Sequence, residues 1–352
     1  MKQLRLGIVG TGMAFERLHW PALQQLREQY RIVALCDRDP ELAKGWARRL
    51  GLSESDVTDD PKVLAARDDV DVVSVMVPIE ENFTVARQVA EVIAGSHKGL
   101  ICEKPLAPDM EQARLARKLP EKYSIPVLIA ENYRYNHETK LIRRIVDEKR
   151  IGDALYFIQN RVIDTPEDMR KSTFAAKEWR QHPDFPGGVI LDTGVHDIAA
   201  LHYVFGAIEQ VQAYGVPQEE DFAPFAVLQA NLKFRSGVIG QFSFFCAGKE
   251  MQRPLIGLRI FGTQGMIYLE ERDAGTVNIA YNDGRSEQIP YEPQAGYREE
   301  LLNFYNHLVH GEPLESTPEI EFGDTHAMLA ILRSAQDGQP ITVEREPASV
   351  PM

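Results

Sequence analysis

From Leu4 to Ala130 the chain alternates short apolar runs with stretches whose apolar residues recur at helical spacing. Leu4 to Val9 is mostly apolar and ends in Gly10-Thr11-Gly12. An amphipathic stretch from about Phe15 to Tyr30 follows, and then a second apolar run, Ile32 to Cys36. Strand, helix and strand in that order form a βαβ unit. The alternation continues through a helical pattern at 41–50, Val70 to Val77, a helix near 82–94, Gly99 to Cys102, a helix over 109–118 and Val127 to Ala130. Strands this apolar, separated by helices, predict a doubly wound parallel sheet covered on both faces.

After Tyr135 the pattern changes. One helical stretch at 139–149 leads to Tyr156–Ile163, a glycine-containing helical segment, and then alternating runs near 208–216, 226–234, 237–245, 256–262 and 265–270. Closely spaced alternating strands predict a largely antiparallel sheet, so this half reads as α+β. Helical patterns return at 297–310 and 323–336, and the charged, proline-bearing tail from Glu344 reads as a frayed end. The division predicted is 1–134 for the doubly wound domain and 135–352 for the α+β domain. A wide sheet needs cover on its free face. Phe242, Phe244 and Phe245 are the apolar patch expected there, covered by a second copy of the chain, as homodimer or homotetramer, or by the terminal helices.

Composition supports two globular domains: 352 residues with 44% hydrophobic content can bury two cores. A net charge of −13 with no long Lys/Arg cluster argues against nucleic acid and membrane surfaces as partners. Cys36, Cys102 and Cys246 are widely spaced and odd in number, without a CxxC pair, which excludes a disulfide framework and fits a reducing cytoplasm. The N-terminal apolar stretch is broken by Gly7, Gly10 and Gly12 and reads as a strand rather than a signal, and no run approaches a membrane span.

Candidate chemistry gathers at two places. Gly10-Thr11-Gly12, with Met13 and Ala14 completing the turn, follows a strand and opens a helix, the setting in which glycines let backbone approach a pyrophosphate. The third glycine of that pattern is missing, which predicts a turn one residue longer. Asp37 ends the second strand, placed to accept hydrogen bonds from ribose hydroxyls and to repel a 2′-phosphate, so NAD is favoured. Arg38 beside it keeps NADP open, since a guanidinium can pair with that phosphate or stack on adenine. Asp37 also suits a helix cap. Downstream, Asp192 and His196 are four residues apart, so on a helix the carboxylate can hold the imidazole while the ring handles a substrate proton. The same spacing suits a structural pair. No compact ligand spacing suggests a metal.

With Glu103-Lys104-Pro105 after the strand ending at Cys102, the chain resembles the Gfo/Idh/MocA oxidoreductases. The likeness runs through Gly10-Thr11-Gly12, His19-Trp20-Pro21-Ala22-Leu23, Glu103-Lys104-Pro105, Trp179-Arg180, Gly187-Gly188 to His196, and Ser334-Ala335-Gln336-Asp337-Gly338. The resemblance implies a Rossmann domain, an open-faced antiparallel sheet domain, and hydride transfer between a nicotinamide and a sugar-like or cyclitol alcohol. It implies that Lys104 is the active-site lysine, that Asp192 and His196 are the acid and histidine of the second motif, and that Pro78, Glu103, Lys104, Trp179 and Arg180 lie by the cofactor. It further implies a cis Lys104–Pro105 bond. His196 is then the proton carrier, Asp192 orients it, and Lys104 hydrogen-bonds the reacting oxygen. Where relatives carry Asn and His after Pro78, this chain reads Ile79-Glu80-Glu81-Asn82, so no particular sugar specificity transfers. Specificity is expected in that rim and in the charged segment 164–186. Glu131 to Tyr135 follow a strand and line the site or, for Asn132 and Tyr133, serve as cap and core. Gly187-Gly188 reads as a turn or as a close approach to cofactor. The alternatives are a dinucleotide- and sugar-binding sensor without turnover, and a glycoside-cleaving enzyme that uses the redox cofactor transiently.

Overall fold

The computed structural model describes residues 2–246 and 257–343; residue 256 and the tail from Glu344 lie outside the described residues. The chain divides into two compact units. One is the chain up to Asn132 together with Gly296–Phe322, and the other is Tyr133–Ala295 together with the segment from Gly323.

In the first unit, strands β1 (Leu4–Val9), β2 (Tyr30–Cys36), β3 (Val57–Thr58), β4 (Val72–Val75), β5 (Gly99–Glu103) and β6 (Val127–Ala130) form a parallel sheet in the order β3-β2-β1-β4-β5-β6. The order reverses beside β1, where open sheets of this kind bind ligands at the carboxyl ends of the strands. Every residue of β4 and β6 is buried, which is why these strands read as unbroken apolar runs. Helices Pro40–Leu50, Pro61–Ala66 and Met110–Ala116 start where Asp39, Asp60 and Asp109 accept backbone N–H bonds from the first turn.

The first helix opens directly at Met13, and its stretch Phe15–His19 is wound as a π-helix before Trp20–Gln25. The irregularity that the sequence places in a longer turn is therefore taken up inside the helix. Phe15 stands where the third glycine of the pattern falls. Its ring is fully buried and meets Trp46 edge-on at 4.7 Å, so an aromatic contact replaces close packing of helix on strand.

Helix Gly296–His310, which a division at 134/135 assigns to the C-terminal domain, is part of this first unit. The Tyr30 hydroxyl donates to the Leu301 carbonyl at 2.7 Å, and the Tyr305 hydroxyl to that of Lys2 at 2.9 Å. Helical periodicity identifies such a segment without saying which sheet it covers.

In the second unit, β7 (Ala154–Val162), β8 (Ile208–Pro217), β9 (Phe225–Phe234), β10 (Ile239–Phe245), β11 (Gly257–Gly262), β12 (Gly265–Leu269), β13 (Thr276–Tyr281), β14 (Ser286–Pro290) and β15 (Ile341–Thr342) form one sheet in the order β14-β13-β12-β11-β7-β10-β9-β8-β15. β7 and β10 run parallel, and the other described pairings are antiparallel. One face is covered by helix Val189–Phe205 and by the part of helix Pro318–Asp337 from Gly323. The Phe205 ring stacks on Phe157 at 5.3 Å, and a Cβ on Gly194 would lie 3.3 Å from Met328 Sδ and 3.6 Å from the Phe244 ring.

That packing corrects the expected apolar patch. Phe242 and Phe244 are fully buried on the covered face, and Phe245 lies on the other, because side chains alternate along a strand and 242 and 244 cannot share a face with 245. Large apolar residues exposed on the open face include Tyr156, Tyr214, Val216 and Ile239, between 42% and 58% exposed.

His202, to which the sequence attaches no role, is part of a buried ionic knot. Asp324 accepts hydrogen bonds from Arg134 and from His202 Nδ1, while His202 Nε2 accepts from the Ile208 N–H at 3.2 Å. With Nε2 accepting, the ring proton is on Nδ1. Burial by itself would raise the Asp324 pKa, but Arg134 and His202 outweigh it and hold the carboxylate below its ordinary range.

Glu300 in the first unit is the opposite case. It is fully buried, and neither carboxylate oxygen has a hydrogen-bond partner among the described residues. Burial, and then the charges of Glu103, Glu131 and Glu321, push its pKa well above the ordinary carboxylate range. The folded chain thus binds a proton that the unfolded chain releases, so stability falls as pH rises from the ordinary glutamate range toward the raised value, by about 1.4 kcal/mol per pH unit. Glu300→Gln should flatten that slope in urea unfolding measured between pH 5 and pH 9; parallel profiles for the two proteins would contradict this assignment.

Candidate active site

At the carboxyl edge of the parallel sheet, the end of β1 is tied to both of its neighbours. The Gly10 N–H donates to the Cys36 carbonyl at 2.8 Å, and the Met76 N–H donates to that of Val9 at 2.7 Å. Gly10 has φ of +90°, and a Cβ there would fall 2.2 Å from the Met76 carbonyl oxygen, so only glycine allows the approach. At Gly12 a Cβ would meet nothing within 4 Å. The second glycine therefore answers to no neighbour in the chain and leaves backbone bare at the start of the Met13 helix, which suits a pyrophosphate.

Asp37 sits at the end of β2 and is already engaged. Its Oδ2 accepts from the Thr11 N–H at 2.7 Å and from the Thr11 hydroxyl at 2.8 Å, and its Oδ1 accepts from the Asp39 N–H at 3.0 Å. A carboxylate offers about four acceptor positions, so one on Oδ1 remains for a ribose hydroxyl. Thr11, between the two glycines, fixes the carboxylate. Arg38 donates to Glu81 at 2.6 Å, so one of the carboxylates that distinguish this chain after Pro78 meets the residue next to Asp37. Pro78 itself caps the start of helix Ile79–Val92.

Lys104 leaves the sheet at the end of β5, two strands from β1, at the same edge. Its bond to Pro105 is cis, as the resemblance implies. Asn82, on the helix after Pro78, donates to the Glu103 carbonyl at 2.6 Å and lies 3.5 Å from that of Pro105, so one amide holds the backbone on both sides of the lysine. The Glu103 carboxylate meets His19 Nε2 at 2.5 Å, and His19 is almost fully buried. Sequence spacing gives no hint of either partner, which lie 21 and 84 positions from Glu103.

In the second unit, helix Val189–Phe205 carries Asp192 and His196 one turn apart. Gly188 starts it with φ of +51°, and a Cβ there would fall 2.0 Å from the Phe222 carbonyl, to which the Val189 N–H donates at 2.9 Å. The glycine pair thus serves a close approach within the unit. The buried Asp192 carboxylate lies 2.8 Å from Arg180 Nε, an ion pair by distance although the N–H is not aligned as a hydrogen bond. The Arg180 guanidinium lies over the Trp179 ring at 4.4 Å. Arg180, Trp179 and Asp192 are therefore one assembly.

His196 stacks on Tyr133, with ring centroids 4.5 Å apart and planes inclined by 21°. Tyr133, which the sequence offers as a core residue, instead lies against the candidate proton carrier. Next to His196, Asp197 is buried and accepts from Arg161 Nε at 2.5 Å, a residue on β7 that sequence spacing does not connect with the helix. Among the described residues, no group of three or more His, Cys, Asp or Glu is placed to hold a metal ion, and no helix is long and apolar enough to cross a membrane.

Comparison with known proteins agrees with both halves of this description. Residues 4–130 match the family model described as "Oxidoreductase family, NAD-binding Rossmann fold", and residues 139–268 match "GFO/IDH/MocA C-terminal domain". The chain is 26% identical over 326 residues to 1,5-anhydro-D-fructose reductase of Ensifer adhaerens, covering 89% of this chain and 91% of that one. Among solved structures it is similar to an oxidoreductase from Thermotoga maritima, with a TM-score of 0.83 and 27% identity over 97% of this chain and 99% of the other. A levoglucosan dehydrogenase solved with NADH and L-sorbose shares the fold, with a TM-score of 0.85 at 19% identity over 98% of this chain and 100% of the other.

Proposed function

The chain belongs to the Gfo/Idh/MocA oxidoreductases, whose N-terminal domain is an NAD-binding Rossmann fold, and from that premise we propose that it transfers a hydride between NAD and a secondary alcohol or ketone of a sugar, sugar derivative or cyclitol. The observation that carries this reading is the position of Lys104. It leaves the sheet at the same edge as the Gly10 turn, with its flanking carbonyls engaged by Asn82. The sugar-acting reductase among the relatives supports the substrate class.

NAD, when bound, supplies the hydride acceptor or donor, and Gly10, Gly12, Met13, Ala14, Asp37, Arg38, Pro78 and Glu103 would hold it; Trp179 and Arg180 are further cofactor-binding candidates. The chain's own work is acid–base and electrostatic. His196 takes the hydroxyl proton during oxidation and returns it during reduction, the work of a general acid–base group. Asp192, one turn earlier, orients the ring. Lys104 donates a hydrogen bond to the reacting oxygen and stabilises the negative charge that builds on it. Asp37 favours NAD over NADP. NADP is accommodated to the extent that Arg38 leaves Glu81 for a 2′-phosphate.

We further propose a homodimer or homotetramer joined through the open face of the nine-stranded sheet, where Tyr156, Tyr214, Val216 and Ile239 expose apolar surface. Sedimentation as a monomer at micromolar concentration would contradict it. A cytoplasmic setting is supported by three free, buried cysteines; burial pushes the Cys36 and Cys246 thiols up to about 12 and so keeps them protonated.

Purified protein tested with either nicotinamide against polyols, inositols and keto-sugars should turn over at least one of them. Lys104→Ala and His196→Ala should each lower kcat by about 10²- to 10³-fold while NAD still binds. Full turnover in both variants would refute the assignment of the two residues. Cofactor and sugar binding without turnover across the panel would favour a sensor.

A further inference from the structure

Within the second unit, Tyr133, Arg161, Asp197 and His196 form a closed circuit, since Asp197 directly follows His196 in the chain. Arg161 donates to Asp197 through Nε at 2.5 Å and through its terminal nitrogen at 3.2 Å, and that same terminal nitrogen donates to the Tyr133 hydroxyl at 2.9 Å. Tyr133 then stacks on the His196 ring. A second cation completes the support. The Arg272 guanidinium lies 4.0 Å from the Tyr133 ring centre and is itself held by Glu138 at 2.9 Å and Thr139 Oγ1 at 3.2 Å. Glu138 and Asp197 are almost fully buried, so the two guanidinium charges are balanced within the knot.

We infer that Tyr133 is a positioning residue for His196, its ring fixed by Arg161 and Arg272 so that the imidazole keeps one plane on the helix Val189–Phe205. The inference rests on the reading of His196 as the proton carrier. A histidine on a helix has a broad second side-chain torsion and is not held in plane by the backbone alone. A flat aromatic surface against one face removes most of that freedom, provided that the surface is itself immobile. The circuit supplies that condition twice over. The Tyr133 hydroxyl is bonded to a guanidinium that is anchored one residue beyond His196, and a cation occupies the π-surface of the phenol. Burial would weaken the charge on both arginines, but Asp197 and Tyr133 for Arg161, and Glu138, Tyr133 and Asp197 for Arg272, more than restore it, so both cations persist across the working pH range. A proton carrier a fraction of an ångström out of line loses rate steeply, which is where the circuit acts on turnover.

The test combines spectroscopy and kinetics on the intact chain. With labelled histidine, the His196 ring resonances are identified by their disappearance in His196→Ala. In the unaltered protein they should lie upfield because of the Tyr133 ring, and Tyr133→Leu should return them to ordinary positions. Tyr133→Leu should lower kcat by about 10- to 100-fold with the cofactor dissociation constant changed by less than about twofold. Tyr133→Phe keeps the ring and should rescue kcat to within about fivefold of the unaltered enzyme. If His196→Ala abolishes turnover but Tyr133→Leu changes neither the resonances nor kcat, the positioning role is wrong while the proton-carrier reading stands. If His196→Ala keeps full turnover, the proton-carrier reading has failed, and the resonances alone report whether Tyr133 holds the ring. A Tyr133→Phe protein as slow as Tyr133→Leu overturns the claim that stacking is what positions the histidine.

Discussion

The first unit depends on how closely two backbones meet at Gly10. The end of β1 is bonded to β2 through the Gly10 N–H and to β4 through the Val9 carbonyl, and a side chain at Gly10 would overlap the Met76 carbonyl oxygen. Because that approach is so tight, Thr11 is pressed against the end of β2, where its N–H and hydroxyl both bond Asp37. The same turn then releases Gly12 into open space at the mouth of a helix. The Gly10 turn is therefore a consequence of sheet geometry, and Asp37 both borders it and fastens it.

The two catalytic candidates are supported in different ways. Lys104 is held through its backbone: Asn82 bonds the carbonyls on either side, and His19 bonds the carboxylate of the residue before it. His196 is held through its ring, by a stacked tyrosine with two buried ion pairs behind it. A lysine presents a point charge on a flexible stem, so a fixed backbone sets only where the stem starts, whereas an imidazole works through one nitrogen in one direction. Each form of support matches what the proposed role would ask of the side chain.

Much of the fold was legible because its strands obey simple periodicities. Leu4–Val9 and Val127–Ala130 are apolar runs with sharp ends, and the alternating runs that became β8, β9 and β10 carry a clear inward face. The hairpin of β13 and β14 was missed although Asn282-Asp283-Gly284 marks its turn, because the outer strand is polar at almost every position. Face assignment failed at Phe242 and Phe244, where aromatic content was weighed and alternation was not. At the candidate site, the proposed residues come from motif spacing and from the family resemblance. Their supports were not, because Thr11 with Asp37, Asn82 with Glu103, and Arg161 with Asp197 join residues 26, 21 and 36 positions apart that only the folded sheet brings into contact. Phe15 shows a further limit: a motif can lose a glycine and keep its geometry when a π turn and an aromatic contact take up the difference.

The seat at Gly10, Thr11 and Asp37 is tested most directly by titrating the intact chain with NADH and NADPH and following nicotinamide fluorescence. Saturable binding that favours NADH, with the preference reduced by about tenfold or more in Asp37→Asn, is the predicted result. Failure of either dinucleotide to saturate, or a preference that Asp37→Asn leaves unchanged, would contradict it.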